Sequence, residues 1–128
     1  MNRYIVLSLT MLAGAALGAA AINRLHAQDK GAGAYAVIDI SEINNTDIFK
    51  TLLPKTAAAT AAFGGKNVVV TENIVALDGT TPKRFVIISF ESIDKTKAWY
   101  NSPAQEEING IRKRSTNSRA FIVDGTLP

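Results

Sequence analysis

The residues of this chain with chemical potential are Tyr35, Asp39, Ser89, Trp99 and Tyr100. Tyr35 and Asp39 share the apolar stretch Ala34 to Ile40, AYAVIDI. An extended backbone puts both on one face, with Val37 between them. Ser89 stands in a second apolar run, Arg84 to Phe90, RFVIISF, on the face of Phe85 and Ile87. Trp99 and Tyr100 close the helical pattern that follows. Burial disfavours the charged form of an aspartate, so Asp39 in an apolar cleft is a candidate base, with Tyr35 as the other. The substrate for such a base would be an enolisable ring. Trp99 and Tyr100 could stack on a ligand. Each group also has a structural reading: Asp39 hydrogen-bonded or solvated at a strand end, the aromatic pair plugging a gap between helix and sheet.

Composition narrows the chemistry further. The chain has no cysteine, which excludes disulfides and thiol chemistry. Its single histidine is His26. No phosphate loop, metal-ligand spacing or nucleophile with its base is present, and no cofactor is called for.

Residues 1–27 read as a secretory signal. Arg3 gives the charged start, Ile5 to Ile22 is uncharged, and Leu25-His26-Ala27 ends the segment. The competing reading is an uncleaved anchor. Cleavage after Ala27 removes His26, Arg3 and Arg24. Of 14 Lys and Arg, 12 then remain against 11 acids, a net charge of +1. The expected location is periplasmic or secreted. So small a charge gives no reason to expect nucleic acid as a partner, and after cleavage no membrane segment is left.

The elements that must position these residues follow in order. Residues 28–33 form a polar linker before the strand Ala34–Ile40. Asn44, Asn45 and Thr46 open a helix that runs to Phe63 and ends at Gly64-Gly65. Pro54 lies inside it and predicts a kink or a frayed turn. Asn67 to Leu77 is rich in β-branched residues and predicts a long strand, with a bulge at Thr71-Glu72-Asn73. Asp78-Gly79 turns the chain into the strand Arg84–Phe90. Ser92 starts a helix that Asn101 breaks. Ser102-Pro103-Ala104-Gln105 starts another at capping-box spacing. Arg112, Lys113 and Arg114 read as a charge pattern at its negative end. Ala120 to Asp124 is the last strand. The domain spans 34–125, and 126–128 is a tail.

The order β-α-β-β-α-β is the ferredoxin-like split, an α+β fold with a four-stranded antiparallel sheet. Two helical layers' worth of chain covers one face of such a sheet, yet the strands are apolar on both. The second face predicts a homodimer closed sheet to sheet, with Tyr35, Val37, Phe85 and Ile87 in the buried layer.

The chain resembles the domain-of-unknown-function family numbered thirteen-thirty, within the dimeric α/β-barrel superfamily. The resemblance runs from about Ala34 to Gly125. It rests on AYAVIDI, the helix ending in Phe63-Gly64-Gly65, the Leu77-Asp78-Gly79 turn, RFVIISF and Ala98-Trp99-Tyr100-Asn101-Ser102-Pro103. Two positions depart from the family pattern. Val70-Thr71-Glu72 stands where an Arg-Gly-Gly is frequent, and Ala104-Gln105 where Glu-Tyr is frequent. The resemblance implies the fold and a dimeric barrel, and no activity. Three functions fit the residues: a module binding a small apolar or aromatic molecule between its sheets, a cofactor-independent monooxygenase or isomerase, and a non-catalytic assembly protein. In the first, Tyr35, Asp39, Ser89, Trp99 and Tyr100 are the candidate ligand contacts.

Overall fold

The computed structural model describes residues 33–125. The leader at 1–27, residues 28–32 of the linker and the tail lie outside the described residues. The chain forms strand β1 (Ala34–Ile43), helix α1 (Thr46–Lys50), helix α2 (Leu53–Ala61), strands β2 (Lys66–Thr71) and β3 (Arg84–Phe90), helices α3 (Ile93–Tyr100) and α4 (Pro103–Ser115), and strand β4 (Thr116–Asp124). The strands make one sheet in the order β2-β3-β1-β4, every neighbouring pair antiparallel. This is the ferredoxin-like arrangement that the sequence pattern predicts.

Local chemistry explains most boundaries. The Asn45 side-chain oxygen accepts from the Ile48 amide at 3.1 Å and starts α1. Pro54 lies in the first turn of α2, where the missing N–H would have had no partner in any case. The conflict at Pro54 is therefore resolved by two helices joined through Thr51 and Leu52. Gly64 has φ +73°, the left-handed conformation that ends the helical run. Ser92 and Ser102 cap α3 and α4, their hydroxyls accepting from the Lys95 and Gln105 amides at 3.1 and 3.4 Å.

Several features depart from the sequence reading, among them β1, which runs on to Ile43 rather than ending at Ile40. The strand predicted over Asn67–Leu77 stops at Thr71. Its partner β3 begins at Arg84, opposite Ile40 of β1, and the β2 ladder ends with Thr71 against Phe85. Past that point no neighbouring strand remains to pair with. The Thr71 hydroxyl instead accepts from the Asn73 amide at 3.0 Å and turns the chain into a loop. The bulge lies earlier, between Asn67 and Val69. The last strand begins at Thr116 rather than Ala120, because α4 runs straight into it and Thr116 pairs with Ile43. Finally, Gln105 does not close a capping box. Its side chain is buried and donates to Asn109 Oδ1 at 3.0 Å, and Asn109 in turn donates to the Tyr100 carbonyl at 3.2 Å.

The core lies between the helices and one face of the sheet. One cluster gathers Ile40, Phe49, Leu52, Ala59, Ile108 and Ile111. A second gathers Ala36, Ile88, Phe90 and Trp99, and Ile38 packs against both. Alternation along β1 and β3 then commits Tyr35, Val37, Asp39, Phe85, Ile87 and Ser89 to the other face.

Candidate functional site

On the helix-free face, strand register sets the neighbours. Tyr35 lies opposite Ser89 on one side and Val123 on the other. Val37 lies between Ile87 and Phe121, and Asp39 between Phe85 and Arg119. The structure thus brings Tyr35, Asp39 and Ser89 onto one surface. Val37 at its centre is only 7% exposed, while Phe121 at the β4 side is 40% exposed. Asp39 is 17% exposed at its side chain and accepts from Arg119 Nε at 3.1 Å. The same guanidinium lies 5.4 Å from the centre of the Phe121 ring, a cation–π distance. The Ser89 hydroxyl donates to the Lys66 carbonyl at 3.4 Å. Asp39 and Ser89 are thus partnered within the chain.

Trp99 and Tyr100 lie on the opposite side, in the helix layer. The Trp99 indole is 2% exposed and packs 5.1 Å from the Phe90 ring. Two cavities open around it. The larger, about 300 Å³, lies between the end of α3 and strands β1 and β4, with Ala36, Ile38, Trp99, Tyr100, Ala120 and Ile122 in its walls. The smaller, about 100 Å³, lies under α2 and α4, with Ile38, Ile40, Leu52, Trp99, Gln105 and Arg112 among its lining residues. Ile38 and Trp99 wall both. Tyr35, Asp39 and Ser89 line neither. The concave, mostly apolar space that small-molecule sites use is thus on the helix side of this chain.

Arg112 is the functional candidate that residue patterns did not single out. It belongs to the basic triplet at the end of α4, yet its side chain turns inward and is 5% exposed. Nη1 donates to the Ser118 hydroxyl at 2.7 Å and Nη2 to the Tyr100 hydroxyl at 3.4 Å. A signal was available. Gln105, Ile108 and Arg112 follow the helical spacing i, i+3, i+7, the phase of the buried stripe. Of the carboxyls, Glu91 and Glu107 are held below the usual carboxylate range by hydrogen bonds and charge from Lys95 and Lys55, and neither lines these cavities. Among the described residues, no group of His, Cys, Asp and Glu could hold a metal ion. No described helix is long and apolar enough to cross a membrane.

Solved structures share this architecture at low sequence identity. A protein of unknown function from Rhodopseudomonas palustris superposes with a TM-score of 0.62 at 13% identity, over 84% of this chain and 93% of that one. A dimeric ferredoxin-like protein of unknown function from Jannaschia sp. CCS1 gives 0.55 at 9% identity, over 71% and 97%. SnoaB, a cofactor-independent oxygenase from Streptomyces nogalater, gives 0.50 at 16% identity, over 74% and 94%. At these identities the likeness is one of fold. No curated protein matches the chain by sequence. Residues 33–126 match the model of the domain of unknown function DUF1330, and the chain belongs to that family.

Proposed function

We propose that this protein is a homodimeric module that binds a small apolar or aromatic molecule, held on the helix side of each sheet. The observation that carries the reading is the open cavity of about 300 Å³ beside Trp99 and Tyr100. Its size is at the lower end of ligand pockets, about 300–1,000 Å³, and its walls have their usual apolar and aromatic character. The dimer draws support from the apolar helix-free face and from the dimeric Jannaschia neighbour of the same fold. The test is a panel of apolar and aromatic compounds read by tryptophan fluorescence and by the shift in melting temperature. Trp99 is the only tryptophan of the chain, so its emission reports on the cavity directly. Saturable quenching with a raised melting temperature supports the reading. A panel without effect, on protein free of a co-purified ligand by native mass spectrometry, favours the assembly protein.

A second reading is a cofactor-independent monooxygenase or isomerase. It draws on the fold shared with SnoaB and on Asp39, a carboxylate 17% exposed on an apolar face. In that reading Asp39 or Tyr35 takes the proton, and the reaction lies between the sheets. Turnover of quinols or lactones that is lost in Asp39→Asn and Tyr35→Phe supports it; binding without turnover leaves the binding module. The leader-like start supports export, and a periplasmic protein whose first residue is Gln28 is the expected result of N-terminal sequencing.

A further inference from the structure

Among the described residues, two buried side-chain nitrogens have no hydrogen-bond partner: Trp99 Nε1 and Arg112 Nε. Both belong to residues that line the cavity of about 100 Å³ under α2 and α4. Buried polar groups are normally hydrogen-bonded. Both groups are donors with no acceptor capacity, and the guanidinium cannot shed its charge. The remaining partners of Arg112 are the hydroxyls of Ser118 and Tyr100, both neutral. None of the four ion pairs of the described residues includes it. A residue with a buried cation and one with an unpaired indole N–H thus line the same cavity, whose other walls are mostly Ile, Leu, Val and Phe, with Thr56, Thr60, Asn67, Arg84 and Gln105 as the polar ones.

From this juxtaposition we infer that the cavity is a binding site for a short aliphatic carboxylate, its oxygens accepting from Arg112 and Trp99 and its chain lying against the apolar wall. The charge calls for an anion, and donors alone call for a group that only accepts, which an ionised carboxylate is. The apolar walls call for a hydrocarbon tail. An engineered apolar cavity of about 150 Å³ holds benzene, so a space of about 100 Å³ suits roughly four or five non-hydrogen atoms, acetate or propionate in size. Arg84, the other cation in the wall, is matched by Glu72 at 3.3 Å, which leaves Arg112 as the recognition group. The inference rests on the small-molecule reading of the helix side but concerns the smaller cavity and names its chemistry.

The experiment titrates the full chain with propionate, propionamide and 1-propanol. It follows Trp99 fluorescence and the single indole N–H cross-peak in a ¹H–¹⁵N spectrum. The expected result is a saturable, downfield movement of the indole proton with propionate and none with the two neutral analogues. Arg112→Gln weakens propionate binding about tenfold or more, the loss of a charge-assisted contact, while Arg112→Lys keeps part of it. Glu91→Gln, an exposed residue that lines neither cavity, binds like wild type. Equal responses to propionate and propionamide overturn the carboxylate assignment and leave the small-molecule reading standing. The same holds if aromatic compounds quench Trp99 while propionate does nothing. If neither class of compound acts, both readings fall. Should Arg112→Gln not fold, the wild-type comparison of propionate with propionamide decides alone.

Discussion

Arg112 and Ser118 are joined across the end of α4, Nη1 to Oγ at 2.7 Å, and this contact ties the last helix to the first residues of β4. The Ser118 and Thr116 hydroxyls are 2.8 Å apart, and Thr116 Oγ1 also contacts the Arg112 carbonyl at 2.7 Å. The three residues form a closed polar loop at the point where helix becomes strand. Ser118→Ala removes one acceptor from a buried cation and should cost about 1–3 kcal/mol. Urea denaturation measures it. A variant as stable as wild type would show that Arg112 is held by other groups.

That loop marks where sequence reading ran short. The alternation in AYAVIDI and RFVIISF assigned the strand faces, because a side-chain period of two has few other interpretations once one face is buried. Ser92, Ser102 and Pro54 showed where helices begin or cannot continue, since each acts within its own turn. Arg112 reads in sequence as one of three cations at a helix end. Its burial depends on the phase of α4 against β1 and β4, a tertiary relation. The end of β2 at Thr71 was equally hidden. Val75 and Leu77 look strand-like, but a strand needs a neighbour, and β3 offers none ahead of Arg84. The candidate site divided for the same reason. Strand register puts Tyr35 beside Ser89, whereas the seat of Trp99 is set by how α3 packs over Phe90.

Trp99 is the largest of the fully buried side chains, with Phe90 against its ring and Ala36 and Ile88 in the same cluster. Trp99→Ala should cost about 3–5 kcal/mol by emptying that volume. This is a large share of a small domain's stability, roughly 5–15 kcal/mol in total. Near-UV circular dichroism and thermal melting measure it. A variant that melts like wild type and loses only ligand binding would make the indole a stacking platform instead.

Gly64 and Gly65 are adjacent but constrained differently, and substitution should separate them. A Cβ on Gly64 meets nothing within 4 Å, yet the residue sits at φ +73°. Gly64→Ala therefore carries a backbone cost of about 1–2 kcal/mol. A Cβ on Gly65 would lie 2.7 Å from a carbon of the Phe90 ring and equally close to the Thr60 methyl. Gly65→Ala should cost about 1–3 kcal/mol through overpacking. Adding Phe90→Leu relieves part of the second, the Thr60 contact remaining, and none of the first. In a double-mutant cycle, Gly65 should couple to Phe90 and Gly64 should not. Equal coupling of both glycines would refute the steric account.

The proposed dimer makes the strongest demand on the helix-free face. Tyr35, Val37, Phe85 and Ile87 lie on it with Phe121 and Val123, the last two still about 40% exposed in the single chain. A contiguous apolar surface of this kind is rare on soluble monomers beyond a few hundred Å². Stacking a second copy of the sheet would cover it by an isologous contact. Val37 is at the centre, already flanked by Ile87 and Phe121, so a charge there has no route to solvent in the dimer. Val37→Asp and Ile87→Lys should dissociate or unfold the protein, since either leaves an unpaired charge desolvated. Lys95→Ala, in the helix layer and away from this face, removes an exposed i,i+4 ion pair with Glu91 and should leave the assembly intact. Sedimentation at micromolar concentration compares the three variants with wild type, and only the first two should differ from it. A wild type that sediments as a monomer ends the dimer model and the between-sheet reaction of the second reading. The helix-side cavities do not depend on it, because every residue that walls them belongs to one chain.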